Sequence, residues 1–214
     1  DGGALLLDVD AVHLAKKAKV PDQFIRPFIG SQEFINGVQK FCIWVHESQR
    51  ENALLVPFLR KRFELVEHHR RQSDRVATKK LADMPYAFGE IRQKGDEDIL
   101  VVPRITSERR DYLPIGLVKA GAIISSQNFA IYSAPSFVLA LLASRLHRTW
   151  IATVCGRTRT DFAYSNTLGW NTFPVPPLTE KQKADLTRCA EGILLAREAH
   201  FPATIADLYD PEKM

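Results

Sequence analysis

The segment Phe173-Pro174-Val175-Pro176-Pro177 limits what this chain can become more than any other. Each proline fixes φ near about −65° and removes a backbone donor, so the stretch runs extended and stiff, outside any helix interior or central strand. It predicts a boundary. After it, Thr179 and Gln182 stand at capping-box spacing, and Leu186, Ala190, Ile193, Leu194 and Arg197 recur at helical intervals until Pro202. The expected division is 1–177 as one domain and 178–214 as the start of a C-terminal helical segment, cut short at Met214. The opening Asp1-Gly2-Gly3, without a methionine, likewise reads as a cut from a longer polypeptide.

Before the boundary the pattern favours strands. Ala4 to Leu7 has strand character, and Asp10 to Lys19 is a basic helical turn stopped by Pro21. Asn36-Gly37 between Phe24–Gly30 and Lys40–Val45 predicts a hairpin-like unit. From Glu51 to about Gln72 a helix is expected, with Leu55, Leu59, Phe63 and Val66 as its apolar stripe. Tyr86 to Ile91 reads as extended, with a hairpin tip at Gln93-Lys94-Gly95-Asp96. Ile99 to Val102 and Tyr112 to Val118 follow as strands, and Ala122–Ser125 with Phe129–Ser133 form a second hairpin candidate. Short connections make these strands antiparallel. Ser133 and Pro135 then open a helix, apolar almost all round to Trp150, whose His147 reads as a hydrogen-bonded structural residue. The fold class is α+β: a mainly antiparallel β platform, a buried helix after the strands and a C-terminal amphipathic helix.

Charge is informative only in its placement. Net charge is +4 with a pI near 9.0, yet Arg60 to Lys80 holds eight Lys/Arg against three acids. That run reads either as a solvated helix face or as a contact for phosphates. His68-His69 within it lacks a partner ligand for a metal. Cys42, Cys155 and Cys189 lie far apart, with no CxxC, and read as reduced packing thiols of a cytoplasmic protein. No apolar run approaches the ~20 residues that cross a bilayer.

The run Val101 to Gly116 concentrates hydrogen-bonding side chains: Arg104, Thr106, Ser107, Glu108, Arg109 and Arg110. In extended backbone, Arg104, Thr106, Glu108 and Arg110 share one face. Arginine forks onto guanine O6/N7 and a carboxylate accepts from cytosine N4, so such a ladder suits a G·C pair. A solvated turn with internal Glu–Arg pairing is the plain alternative.

Catalytic patterns are missing. There is no Gly-rich phosphate loop, no GxSxG, no HExxH and no Asn/Asp-Pro-Pro-aromatic motif of an adenine methylating enzyme. Asp96, Glu97 and Asp98 are the one acidic group a metal-dependent nuclease would want, and a solvated acidic tip explains them as well.

Several separated segments together carry a resemblance. They are Phe24-Ile25-Arg26-Pro27-Phe28-Ile29-Gly30 with Glu33-Phe34-Ile35-Asn36-Gly37 and Phe41-Cys42-Ile43-Trp44; Ser107-Glu108-Arg109-Arg110 with Tyr112-Leu113-Pro114-Ile115-Gly116; Gly156-Arg157 with Asp161, Tyr164-Ser165 and Asn171-Thr172-Phe173-Pro174; and Ala206-Asp207-Leu208-Tyr209-Asp210-Pro211. In this order the chain resembles the C-terminal part of MmeI-like restriction-modification enzymes and related large adenine-specific DNA methyltransferases.

The resemblance implies a target-recognition domain for double-stranded DNA over 1–177. It also implies an upstream methyltransferase domain that uses S-adenosylmethionine, with no cofactor held in this chain itself. Carried over, Glu108 and Arg110 become the leading specificity pair, with Arg104, Arg109 and Ser107 beside them. Lys79, Lys80, Lys94, Arg157 and Arg159 are the expected phosphate contacts. Phe162-Ala163 departs from the family's aromatic-then-basic pair. Two other readings stand beside this one: a scaffolding domain that touches no base, and a nuclease or other enzyme in its own right.

Overall fold

The computed structural model describes residues 2–93 and 95–212. It has the expected α+β character with antiparallel strands and divides into two compact units.

The first unit comprises Asp1–Ile29, Gln39–Gly95 and Gly121–Ile123. Its sheet runs in the order Leu6–Leu7, Phe41–Ile43, Ile25–Ile29, Ile123–Ile124. Cys42 lies opposite Leu6 on one side and Arg26 on the other, both antiparallel. Leu5, Leu7, Phe24, Ile43, Leu59 and Phe63 fill the core beside it.

The expected hairpin is only half right. Gly37 takes a left-handed conformation (φ 67°) and ends the helix Ser31–Asn36, so Asn36-Gly37 is a helix cap. The single helix expected from Glu51 to Gln72 is two, Arg50–Leu54 and Pro57–Arg71. Pro57 has no amide proton to extend the first helix but suits the first turn of the second. Leu55 falls at the break and is 73% exposed, while Leu59, Phe63 and Val66 keep the buried stripe. Tyr86 to Ile91 forms no strand. Tyr86 and Phe88 instead turn their rings onto Phe63, Phe28 and Trp44.

The second unit comprises Gly30–Val38, Asp96–Ala120 and Ile124–Met214. The wholly buried strand Ile99–Pro103 is flanked by Gly116–Val118 and Asn128–Tyr132, with Ile99 opposite Val118 and Tyr132. A smaller sheet orders Ile105–Thr106, Asp161–Ala163 and Gly156–Thr158, the last two forming a β-hairpin. The second hairpin candidate is not one: Ile123–Ile124 joins the first unit's sheet, while Asn128–Tyr132 pairs with Ile99–Pro103. The turn itself exists, with Asn128 N donating to Ser125 O at 3.0 Å. A local turn signal does not choose the partner strand.

The expected core helix is also split, into Ser136–Leu142 and Arg145–Val154. Ser144 caps the second piece, its Oγ accepting from His147 N at 3.1 Å. The capping box at Thr179 and Gln182 starts the helix Glu180–Ala199, which lies along Ser136–Leu142. Ala190 is fully buried there, with Leu186, Ile193 and Leu194 packed around it. Among the described residues, no helix is long and apolar enough to cross a membrane.

Candidate nucleic-acid interface

The extended ladder does not form. Strand pairing runs only to Thr106: Ile105 and Thr106 lie opposite Ala163 and Phe162, and Arg104 O accepts from Tyr164 N at 2.7 Å. The chain then turns, with Arg110 N donating to Ser107 O at 3.3 Å and Arg109 N to Ser107 Oγ at 3.3 Å. Thr106 is buried and Arg104 exposed, so the period-two face is broken at its second member. The physical reason is local: alternation holds only while the backbone stays extended.

The turn nevertheless gathers the expected residues against the neighbouring hairpin. The carboxylate of Glu108 accepts from Arg157 Nη1 at 2.6 Å, and the same nitrogen donates to Thr160 O at 2.7 Å. Arg157 also lies 4.7 Å from the centroid of the Phe162 ring. Arg104 stacks over Phe129 at 4.5 Å. Arg109 pairs with Glu212 at 3.0 Å. Arg110 is half-buried; burial lowers its pKa, opposed by the nearby Asp161 and Asp210 charges, and a guanidinium stays protonated regardless.

Two arginines that sequence reasoning passed over hold this turn from below. Arg148 Nη2 donates to Glu108 O at 2.6 Å and its Nε to Arg110 O at 3.2 Å, with its guanidinium 5.0 Å from the Phe162 ring centre. Arg145 pairs with Asp111 at 3.0 Å and lies over Tyr112. A signal was present: residues 145 and 148 sit three apart, the spacing that places two side chains on one face of a helix.

The expected phosphate contacts part company. Arg159 sits exposed at the hairpin tip in a left-handed conformation (φ 58°). Arg157 is committed to Glu108. Lys79 and Lys80 end the helix Val76–Lys80 of the first unit and are exposed. Lys94 lies outside the described residues.

Much of the basic run is structural. Arg70 is buried and donates to Leu81 O, Met84 O and Ala87 O, while Arg62 donates to Ala4 O and Leu6 O. Arg60 holds Leu54 O, and Arg71 pairs with Glu67. Asp98 binds Lys119 Nζ and Ala120 N, both at 3.0 Å, and the lysine holds its carboxyl below the usual range. Among the described residues no group of His, Cys, Asp and Glu is arranged to hold a metal.

His147 is fully buried, its Nε2 3.1 Å from the Tyr164 hydroxyl and its ring edge-on to Phe173 at 4.5 Å. Burial pushes the imidazole down to about 4. It is a neutral packing group.

Comparison with known proteins matches this arrangement to relatives. A family model described as MmeI, target recognition domain, matches residues 1–177. DNA methyltransferase A of Bacillus subtilis (strain 168) is 37% identical over 220 residues, taking in 100% of this chain and 24% of that protein. The structure of the type IIL restriction-modification enzyme MmeI in complex with DNA aligns with a TM-score of 0.94 at 32% identity, covering 100% of this chain and 29% of that one. The chain therefore spans well under half the length of either relative. With the family model extending over most of its residues, this chain belongs to the MmeI target recognition domain family.

Proposed function

We propose that this chain is a sequence-specific recognition module for double-stranded DNA, serving a DNA-modifying polypeptide. The observation that carries the reading is the joined turn and hairpin of the second unit. There Glu108 supplies an acceptor, and Arg104, Arg109, Arg110 and Arg157 supply planar donors on two adjoining elements. These are the groups that read base edges: arginine on guanine, carboxylate on cytosine N4. Residues 1–177 form the recognition module, and 178 onward begins a helical segment that packs into its second unit.

Glu108 and Arg110, with Arg104, Arg109 and Ser107, specify the site; Arg159, Lys79, Lys80 and Lys94 supply affinity through phosphates. Arg157 works with Glu108 and not as an independent phosphate contact. Methylation of an adenine from S-adenosylmethionine, in the cytoplasm, falls to another domain of the parent polypeptide. This chain has no Gly-rich loop and no Asn/Asp-Pro-Pro-aromatic run, so no cofactor step is assigned to its residues.

The intact protein is incubated with a randomised duplex pool and the bound sites are sequenced. A defined preferred site is expected, and Glu108→Ala or Arg110→Ala changes it, at about 1–3 kcal/mol for each lost base contact. Uniform binding to all sequences would favour a scaffolding domain instead.

A further inference from the structure

We propose that Arg148 is the positioning residue of the recognition turn, fixing the backbone from which Glu108 and Arg110 reach bases. The role rests on the reading of this turn as the part that meets DNA. Arg148 projects from Arg145–Val154, a helix anchored by its Ser144 cap and by fully buried Ile151. Its two donors reach Glu108 O at 2.6 Å and Arg110 O at 3.2 Å, the carbonyls on either side of Arg109.

The turn's own hydrogen bonds are long, both 3.3 Å from Ser107, so a charged donor bridging two carbonyls is the shorter hold on its backbone. The guanidinium is oriented in turn by Phe162, a ring 2% exposed on the strand opposite Thr106. A planar fork stacked on a ring is a geometry that lysine does not reproduce. One helical turn earlier, Arg145 ties down Asp111 at the end of the same turn.

Arg148 Nε and Nη2 are held by carbonyls of the turn, which leave its charge in place but aim it at backbone. Its loss acts on where Glu108 and Arg110 begin. Base contacts are set by geometry, and a site whose supporting shell is loosened reads less sharply.

The test uses the intact protein carrying Arg148→Met or Arg148→Lys. The readouts are the affinity ratio between preferred and random duplexes, low-salt affinity for random duplex, and amide exchange of the free protein. For Arg148→Met the ratio is expected to fall about tenfold. Low-salt affinity for random duplex falls by much less than that, and exchange quickens at residues 107–111 only. Arg148→Lys falls between.

An unchanged ratio overturns the proposal. So does an equal loss on every sequence, which marks a phosphate contact, or exchange quickened throughout the second unit, which marks general packing. Should Arg148→Met fail to fold, Arg148→Lys carries the test alone, and an unchanged ratio there is equally fatal. Wild-type protein with no site preference removes the DNA reading itself. The exchange pattern then still decides whether Arg148 holds the turn.

Discussion

Glu108 and Arg157, forty-nine residues apart in the chain, meet at 2.6 Å across the joined turn and hairpin. Both are about two-fifths exposed, so the pair contributes little to stability, within about 1 kcal/mol. Its consequence is functional, because it makes one donor–acceptor unit from two elements. Arg157→Ala is therefore expected to shift the preferred site at the same base pair as Glu108→Ala, with the double variant no worse than the stronger single one. Site selection on the three proteins checks this, and strictly additive effects would count against coupling.

Arg159 is the exposed cation of the hairpin tip and pays for its place with a left-handed backbone. Arg159→Gly relieves that conformation and should stabilise the fold by about 1 kcal/mol. At the same time the slope of log affinity against log salt should become shallower by about 0.9. Denaturant melts and binding titrations at several salt concentrations measure the two effects separately. An unaltered slope means that Arg159 touches no phosphate.

Arg70 shows the opposite use of a basic residue. Its three accepting carbonyls lose their donor in Arg70→Met, and buried carbonyls left unpaired make the loss about 3 kcal/mol or more. Site preference should not move. A melting temperature equal to wild type would contradict the burial seen here.

His147 links stability to pH. Its folded pKa of about 4 lies below its ordinary value of 6.5, so the unfolded chain takes up a proton that the folded chain refuses. The stability it permits is complete above about pH 6.5 and declines as pH falls toward 4, by an order of magnitude of ~3 kcal/mol. His147→Gln, which keeps a polar partner for Tyr164, should show a flatter decline in denaturant melts between pH 7.5 and 4.5. Parallel curves for the two proteins would refute it.

The helix Glu180–Ala199 follows the proline-rich segment and packs within the second unit, with Ala190 fully buried. A chain ending at Pro177 exposes the core face of Ser136–Leu142 and should melt well below the full chain in a circular-dichroism scan. Equal melting temperatures would make 1–177 self-sufficient.

Local chemistry alone determined a good deal of this protein. The caps at Thr179 and Gln182, the strand Ile99–Val102, the antiparallel class and the clustering of arginines around Ser107–Arg110 all follow from spacing and short-range propensity. Their causes lie within a few residues of one another. Tertiary structure decided the rest. Whether Glu108 sits on a ladder or a turn, whether Ile123–Ile124 pairs with Asn128–Tyr132, and which cations are spent on carbonyls depend on contacts made across long stretches of chain. Arg70 and Lys79 look alike in sequence. One is buried against three carbonyls and the other stands in solvent, because packing, which acts without regard to chain distance, assigns each charge its partner.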